Sequence, residues 1–378
     1  MPGLDPSALR RLNTAVVLRA VAETDAPLTM AALVTATSLS RRTIEQILSE
    51  LLDQGWVDAV EADPVRAEVG RPPRLFAFRA ENALIVAVRI DTFAATAMVT
   101  DVRGTVLGRS NAPLRDYLNP LAAAEDAMAV IRVAIERSGV PADRVRAGAV
   151  AAGGTIDERG VVRRLIHMPQ WAGFELADTM TRLSGVPFLA DNDANLAALA
   201  EHWRGAAKDQ ASFIWSILGN RVGLGIVIRG QVHRGVEGAA GELVEARMFN
   251  FDRLEQQRFA QLTSPIEDER LAALLLVNRA EQGDRQALEL LDEFIGEIMI
   301  VVEALAWTIA PPLIVLGGGL EVAAGLLLPR LRAAIVDAGL PEMTVLASTI
   351  GAEAPLLGGI RFVLDRFDAD LFGPTVLQ

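Results

Sequence analysis

The stretch Phe188–Gly205, FLADNDANLAALAEHWRG, indicates the fold class, because a short apolar run is followed at once by polar residues and then by a helical pattern. The run 188–190 predicts a buried strand, and the Ala- and Leu-rich run 194–204 predicts a helix. Residues 191–193 therefore lie where a strand meets a helix N-terminus. Small ligands often bind at such points in α/β sheets, so we expect an α/β protein with a ligand site here.

The residue types at this junction suit a polyhydroxylated ligand. Asp193 is expected to act as a base or acceptor toward a hydroxyl group, and Asn192 and Asn195 are expected to hydrogen-bond a polyol. Helix N-caps favour the same residue types, so capping by Asp191, Asn192 or Asp193 is the alternative interpretation.

Composition narrows the class of protein. The chain has 378 residues, 51% of them hydrophobic and 22% charged, enough for two or three domains with sizeable cores. With no Cys, disulfides and thiolate metal sites are excluded. No charge-free apolar run approaches membrane-spanning length, and the N-terminus lacks a secretory signal, so we expect a cytoplasmic protein with no membrane partner. The net charge of −12 argues against nonspecific nucleic-acid binding by the whole molecule.

The first 80 residues have the pattern of a winged helix-turn-helix. Apolar spacing and turn residues predict three helices and then a hairpin, in the order 8–23, 30–37, 41–54, a strand from 56 and a strand over 74–78. Thr29 and Ser40 stand where N-caps are expected. Two short helices joined by a tight turn and followed by a hairpin are typical of DNA-binding modules.

Candidate DNA contacts cluster in this region. We expect contacts with phosphates and base edges from side chains near the start of the third helix, namely Ser40, Arg41, Arg42, Thr43 and Gln46. Arg71 and Arg74 in the hairpin suit phosphates or a narrow minor groove. However, residues 1–79 contain nine Arg against ten acidic residues, so the module is not basic overall. A helical interaction domain with solvated Arg residues is the alternative.

The remaining chain predicts two similar α/β halves. The expected elements are strands 84–90, 96–101 and 102–107, helix 120–138, strands 145–150 and 213–218, a Gly-rich turn over 219–225 leading into strand 226–228, helix 297–309 and strand 313–316. The charged helical segment 251–283 is expected to cover a site or to form a dimer face. The Gly triplet 317–319 allows a backbone to approach a phosphate or nucleoside, although tight packing needs Gly equally.

Taken in order, these motifs resemble the ROK family (repressors, open reading frames and kinases), and the N-terminal module is similar to its transcription-factor branch of xylose- and N-acetylglucosamine-repressor type. The matching residues are Ala152-Gly153-Gly154, Trp171, Asn192-Asp193-Ala194-Asn195, Glu201, Gly241-Glu242, Leu316-Gly317-Gly318-Gly319 and Leu357-Gly358-Gly359. The resemblance implies an actin-like, sugar-kinase-type pair of lobes. The expected domains are 1–80, a winged helix-turn-helix, and 81–378, with one lobe over 82–190 plus 352–378 and the other over 191–351.

The resemblance also implies a ligand site, which departs from the kinase pattern. The expected sugar contacts are Gly154, Asn192, Asp193, Glu242 and Glu245, with Asp193 at the family's base position. Both phosphate loops are altered, to Asp91-Thr92-Phe93-Ala94-Ala95 and Gly219-Asn220-Arg221-Val222-Gly223. Phosphoryl transfer depends on positioning and charge stabilisation of the phosphate, so we expect neither ATP binding nor catalysis. Glu245 replaces the family's metal-binding His and no Cys follows, so no zinc is expected.

These features together predict a transcriptional regulator, specifically a repressor of carbohydrate metabolism that responds to a sugar or sugar derivative. Its expected partners are a palindromic operator and further copies of the chain, as a homodimer or homotetramer. Two alternatives stay open. One is a DNA-binding regulator whose sugar-kinase fold binds no small ligand. The other is an active ATP-dependent sugar kinase with an accessory DNA-binding module.

Overall fold

The computed structural model describes residues 6–61, 74–166, 168–246, 249 and 251–372. Within these ranges the chain forms one small antiparallel sheet near its N-terminus and two five-stranded mixed sheets, each covered by helices. Across the described residues, none of the helices has both the length and the apolar character needed to cross a membrane.

The N-terminal part contains three helices and a three-stranded sheet of order β1-β3-β2, with elements α1 (Pro6–Ala22), β1 (Leu28–Thr29), α2 (Met30–Thr37), α3 (Arg41–Asp53), β2 (Val57–Glu61) and β3 (Arg74–Phe78). The Thr29 and Ser40 side chains accept hydrogen bonds from backbone N–H groups of α2 and α3, as predicted for N-caps. Strand β1 was not predicted, since two residues carry no periodicity. Apolar residues of α3, including Ile44 and Leu48, are buried against the other elements.

The first mixed sheet has the order β10-β7-β4-β5-β6, in which β4, β7 and β10 run parallel. Its strands and covering helices are β4 (Leu84–Ile90), β5 (Ala94–Asp101), β6 (Val106–Pro113), α4 (Pro120–Ser138), β7 (Val145–Ala152), α5 (Leu176–Ser184) and β10 (Phe188–Asn192). Between β7 and α5, β8 (Thr155–Ile156) and β9 (Val162–Arg164) form a separate two-stranded antiparallel sheet. The predicted strand 102–107 was wrong. The Asp101 carboxylate accepts the N–H groups of Arg103 and Thr105, which makes 101–105 a turn and delays β6 to Val106.

The second mixed sheet has the order β13-β12-β11-β14-β15 and repeats the pattern of a three-stranded meander beside two parallel strands. The elements from here to the C-terminus are α6 (Asp193–Arg204), β11 (Phe213–Leu218), β12 (Val222–Ile228), β13 (Gln231–Val232), α7 (Phe251–Glu255), α8 (Glu267–Glu281), α9 (Arg285–Thr308), β14 (Leu313–Leu316), α10 (Ala324–Asp337), β15 (Thr344–Ala347) and α11 (Ala354–Phe372). The predicted turn 219–225 was too long, because β12 begins at Val222. Gly225 is a strand residue, and an added Cβ would lie 2.2 Å from the Ala194 carbonyl oxygen. The glycine therefore allows β12 to pack closely against α6.

Helices α6 and α11 lie between the two mixed sheets and pack on each other. Helix α6 also packs on β11 and β12, whereas α11 packs on β4 and β7. The helices approach closely at Gly358, where an added Cβ would lie 1.7 Å from the Leu196 carbonyl oxygen. Strand β10 continues to Asn192, so the expected lobe boundary at 190 falls inside this strand. The polar junction 191–193 is thereby held at the C-terminal end of β10, facing the second sheet.

Candidate functional site

A cavity of about 480 Å³ opens between the two mixed sheets, at the C-terminal ends of β4, β7 and β10. Four of the five predicted ligand residues line it, namely Gly154, Asn192, Asp193 and Glu242. The fifth, Glu245, ends a one-turn 3-10 helix that also carries the lining residue Val244, but its side chain lies outside what the structure describes. Four of the residues predicted from the sequence as ligand contacts therefore lie together at one cavity, and their role in ligand binding stays a prediction.

Asn192 is the centre of the hydrogen-bond network in the cavity. Its side-chain nitrogen donates to the Gly154 carbonyl oxygen and to Glu242 Oε1, each at 2.9 Å. Its side-chain oxygen accepts the N–H groups of Ala194 and Asn195, so Asn192 is the N-cap of α6. The capping interpretation and the ligand interpretation thus apply to the same side chain, because the cap holds the amide in place beside Glu242.

Two glycines allow this arrangement. Gly154 has φ +80°, and an added Cβ would lie 2.3 Å from the Arg164 carbonyl oxygen. Gly241 has φ +91°, and its Cβ would lie 2.2 Å from the Leu224 carbonyl oxygen. Both positions need the left-handed backbone and the close approach that only Gly tolerates. Gly154 thereby presents its carbonyl to Asn192, and Gly241 sets Glu242 at the cavity wall.

Asn195 does not contact the cavity, contrary to expectation. It is 2% exposed and donates to Asp191 Oδ1 at 3.1 Å. Arg234 holds the same carboxylate, with Nη2 2.6 Å from Asp191 Oδ2. Sequence analysis missed this pair, because Arg234 follows Asp191 by 43 residues and lies in the loop after β13. Asp191 and its partners hold the turn from which Asn192 and Asp193 project.

Four charged side chains of alternating sign form a continuous series of ion pairs between the two mixed sheets. Arg89 Nη2 lies 3.0 Å from Asp193 Oδ2 and 3.1 Å from Asp91 Oδ2, and Arg221 Nη1 lies 3.0 Å from the same Asp91 oxygen. Arg221 Nε also donates to the Thr263 carbonyl oxygen at 2.9 Å. Asp193, the family's base position, is thereby paired with a guanidinium. We call these four residues the ion chain.

Burial and charge pairing shift the pKa values of the ion-chain residues in different directions. Burial alone would raise the pKa of Asp91, but the charges of Arg89 and Arg221 outweigh burial, and the pKa of Asp91 is lowered. Burial would lower the pKa of Arg89, but Asp91 and Asp193 raise it above its ordinary value. For Arg221, burial and the nearby charge of Arg89 prevail, and its pKa is lowered. Both arginines nevertheless stay charged at neutral pH, since a guanidinium group loses its proton only in strong base.

Aromatic and apolar groups form the wall opposite these charges. The Phe93 and Tyr117 rings meet edge to face at 5.5 Å, and the Trp171 indole donates to the Tyr117 carbonyl oxygen at 2.9 Å. From the second sheet, the segment after α7 adds Ser264, Ile266 and Glu269. The charged segment 251–283 thus covers the cavity, one of its two predicted roles. Apolar walls with a few fixed polar groups are typical of small-molecule sites.

The Gly triplet 317–319 has structural reasons for its glycines. A Cβ on Gly317 would lie 2.5 Å from the Trp215 indole nitrogen, and one on Gly319 would lie 2.3 Å from the Leu262 carbonyl oxygen. The Gly319 N–H donates to Glu321 Oε2 at 2.8 Å, so a carboxylate of the chain itself occupies this turn. These contacts favour the packing interpretation over a phosphate site.

The candidate DNA residues that the structure describes lie at the N-terminal end of α3 and at the start of β3. Ser40, Arg41, Arg42 and Gln46 are exposed on the first turns of α3. Thr43 is half-buried, and its N–H donates to the capping Ser40 hydroxyl. Arg41 pairs with Glu45 at 2.9 Å. Arg74 is exposed at the start of β3, its guanidinium lies over the Phe76 ring, and it lines the same groove as Arg41. Arg71 lies outside the described residues.

Comparisons with known proteins agree with this architecture. The xylose repressor of Bacillus spizizenii is 20% identical over 381 residues, which cover 96% of this chain and 97% of that protein. The glucokinase of Thermotoga maritima is 26% identical over 249 residues, covering 57% of this chain and 78% of that protein. This repressor thus matches along nearly the whole chain, whereas this kinase matches little more than half of it.

Among solved structures, too, a kinase matches part of this chain and a regulator matches nearly all of it. A ROK family glucokinase from Streptomyces griseus, in complex with glucose and AMPPNP, is 25% identical with a TM-score of 0.62, and covers 74% of this chain and 99% of that one. A ROK family transcriptional regulator, described as a homologue of the E. coli MLC protein, has the same fold over 94% of this chain and 96% of its own, with 20% identity and a TM-score of 0.65. The ROK family model matches residues 85–248 and 252–366. The chain belongs to the ROK family.

Proposed function

We propose that this protein is a sequence-specific DNA-binding regulator, a repressor of carbohydrate metabolism, whose ROK domain binds a sugar without phosphorylating it. The observation that carries the proposal is the ion chain, because the family's base position is paired with Arg89 while Arg221 enters the cleft. Relatives named xylose repressor match nearly the full length, which supports regulation.

The DNA-binding part of the proposal assigns a winged helix-turn-helix to residues 1–80. Helix α3 follows α2 after a short turn in which Ser38 has the left-handed conformation. Its polar N-terminal turn is exposed, while Ile44, Ile47 and Leu48 anchor its other face. In this assignment α3 enters the major groove, and the hairpin of β2 and β3 reaches the flanking backbone.

The absence of kinase activity follows from the chemistry of the cleft. An acceptor hydroxyl must give its proton to a carboxylate, but the negative charge of Asp193 is balanced by Arg89 at 3.0 Å. A transferring phosphoryl group needs donors and cations free to stabilise it, and here Arg221 already binds Asp91 and Thr263. We therefore expect no sugar-dependent ATP consumption in a coupled assay across neutral hexoses, pentoses and amino sugars.

Ligand binding by the cleft is favoured over a ligand-free scaffold. About 480 Å³ stays open although Phe93, Trp171 and Arg221 all face the cleft, which is space for a monosaccharide. The second candidate, a regulator with no small ligand, would instead be favoured by a cleft filled by those side chains.

Helix α6 offers a route from the cleft to the DNA-binding part. Asp193 begins this helix at the cavity, and Arg204 ends it by donating to the carbonyl oxygens of Arg103 and Gly104 in the turn before β6. Arg103 in turn donates to the carbonyl oxygens of Ala22 and Thr24, just at the C-terminal end of α1, and pairs with Asp25. A ligand that shifts α6 would therefore also move the support of α1.

The test of the DNA-binding assignment replaces Arg41 and Arg42 with Ala together. Loss of two contacts should weaken binding to the operator by about 2 kcal/mol or more, since a good side-chain contact with a base contributes about 1–3 kcal/mol. Arg132→Ala on α4, an exposed Arg far from α3, is the matched control. Undiminished affinity of the double variant in an anisotropy titration at fixed salt would refute the role of α3.

A further inference from the structure

We propose that the cavity selects an unphosphorylated sugar and rejects phosphate esters of that sugar. This inference rests on the proposed function for the existence of a sugar ligand and adds its charge class. It is carried by three features of the cavity, namely its engaged backbone donors, its neutralised arginines and its excess of carboxylates.

The backbone donors nearest the ion chain are already engaged. A phosphate in a protein is held mainly by N–H groups and cations. Here the Thr92 N–H donates to Asp91 Oδ1 at 2.8 Å, and the Asn220 N–H donates to the Ala260 carbonyl oxygen at 3.0 Å. The Arg221 N–H donates to the Thr263 hydroxyl at 3.2 Å. A phosphate entering here would have to break bonds inside the protein.

The arginines at this end of the cavity are committed as well. Arg221 binds Asp91 and the Thr263 carbonyl oxygen, and Arg89 binds Asp91 and Asp193. Two guanidinium groups and two carboxylates make the ion chain neutral. Releasing one arginine for a phosphate would leave a carboxylate unpaired in a site where each of these side chains is less than a third exposed, which is unfavourable.

The cavity as a whole carries a negative formal charge. Among the described residues, five carboxylates line it, and they stand against two lining guanidinium groups and the guanidinium of Arg89, which pairs with two of the acids; this leaves −2, the acids being Asp91, Asp193, Glu242, Glu255 and Glu269 and the bases Arg89, Arg164 and Arg221. A phosphate ester brings about −1.5 to −2 charges at neutral pH and would be repelled.

The cavity also contains groups that suit neutral hydroxyl groups. The Glu242 carboxylate, fixed by Asn192 at 2.9 Å, can accept hydroxyl donors. The Tyr117 side chain lines the cavity and gives an apolar surface against which the C–H face of a sugar ring can pack. A polar edge facing an apolar wall matches a neutral monosaccharide better than an ion.

The test measures binding of matched pairs to the full chain by titration calorimetry: D-glucose, D-mannose and N-acetyl-D-glucosamine against their 6-phosphates, with D-xylose and inorganic phosphate added. We expect at least one neutral sugar to bind, and to bind at least about tenfold tighter than its ester. An ester that binds as tightly as its parent sugar, or tighter, overturns the inference but leaves sugar-derivative control intact. No binding by any probe, in a preparation that still binds operator DNA, overturns both this inference and the ligand part of the proposed function.

The variant Asp91→Asn tests the cause. It removes one carboxylate while both arginines stay, so the preference for the neutral sugar over its ester should fall at least about tenfold. Asp143→Asn, an exposed Asp beyond the cavity, is the matched control and should keep the wild-type preference. An unchanged preference in Asp91→Asn would contradict the role of the ion chain in selecting the ligand.

Discussion

At the scale of single residues, Asp91 is central to the charge balance of the cleft, because its carboxylate pairs with two arginines. It pairs with Arg89 at the end of β4 and accepts a hydrogen bond from Arg221 just before β12, so one carboxylate joins groups from the two mixed sheets. The contact with Arg221 does not follow from local sequence pattern, because Arg221 is 130 residues away in the chain. The proposed function of the cleft, binding without phosphoryl transfer, depends on this pairing.

The ion chain predicts a specific acid dependence. The pKa of Asp91 is lowered in the folded protein, so its stabilising contribution is complete above the ordinary Asp pKa of about 3.9 and is lost as the pH falls through the folded value. The free energy of unfolding should therefore fall more steeply below about pH 4 in the wild type than in Asp91→Asn. Urea titrations across that range provide the measurement. Equal slopes for both proteins would show that Asp91 is not a stabilising ion-pair partner.

Asn192 permits a separation of capping from ligand binding. Ser is an effective N-cap but cannot donate to both Gly154 and Glu242 as the amide does. Asn192→Ser should therefore stay close to wild-type stability, whereas Asn192→Ala should lose about 1 kcal/mol. Both variants should lose sugar binding in calorimetry. Retained sugar affinity in Asn192→Ser would mean that Asn192 is a cap alone.

At the scale of elements, the contact of α6 with α11 sets the spacing of the two lobes. An added methyl group at Gly358 would meet the Leu196 carbonyl oxygen at 1.7 Å, so the helices must separate. Gly358→Ala should cost about 1–3 kcal/mol of unfolding free energy, as overpacking does. Gly296→Ala in α9, where an added Cβ meets nothing within 4 Å, should instead stabilise by about 0.5–1 kcal/mol. Similar effects of the two substitutions would argue against tight packing of α6 and α11.

Sequence pattern predicted the bounds of an element correctly where the residues of that element alone determine them. Strands β4, β11 and β14 begin and end as predicted, because each is a largely apolar run buried in a sheet. The cavity was also located, since a polar junction at a strand end stays exposed to the cleft. The turn before β6 was wrongly predicted as a strand. The Asp101 carboxylate accepts two backbone N–H groups there, and the spacing of apolar residues does not reveal such bonds.

The missed residues share one physical cause. Arg89 and Arg234 act through carboxylates 104 and 43 residues away, and such pairs become visible only when the sheets are assembled. Asn195 was assigned to the wrong surface, because a helix turns its third residue away from the face that holds the first. The fold class and family were thus accessible from sequence, whereas the charge balance of the cleft was not.

At the scale of the whole molecule, the proposal requires that the cleft and the DNA-binding part influence each other. Allosteric coupling needs a contact that differs between two states. The described structure offers one at Arg103, which lies between the end of α6 and the end of α1. Gly104 beside it has φ +75°, and an added Cβ would lie 2.4 Å from the Trp203 ring, so this turn fits closely on α6.

Removal of the Arg103 side chain should therefore uncouple the two parts. In Arg103→Ala we expect operator affinity in the absence of sugar to change little, since Arg103 lies away from α3. The sugar-induced change in affinity, of the order of 5–150-fold for allosteric coupling, should shrink toward none. Arg132→Ala should respond as the wild type does. A full sugar response in Arg103→Ala would exclude this route.

The central claim is that a ROK domain without kinase activity controls DNA binding through a sugar. The most direct measurement is fluorescence anisotropy of labelled DNA from the gene's own upstream region, titrated with the full chain at fixed salt, with and without each neutral sugar. The account predicts tight, saturable binding that one sugar shifts and that its 6-phosphate does not. Absence of binding to this DNA, together with sugar-dependent ATP consumption by the same preparation, would contradict it.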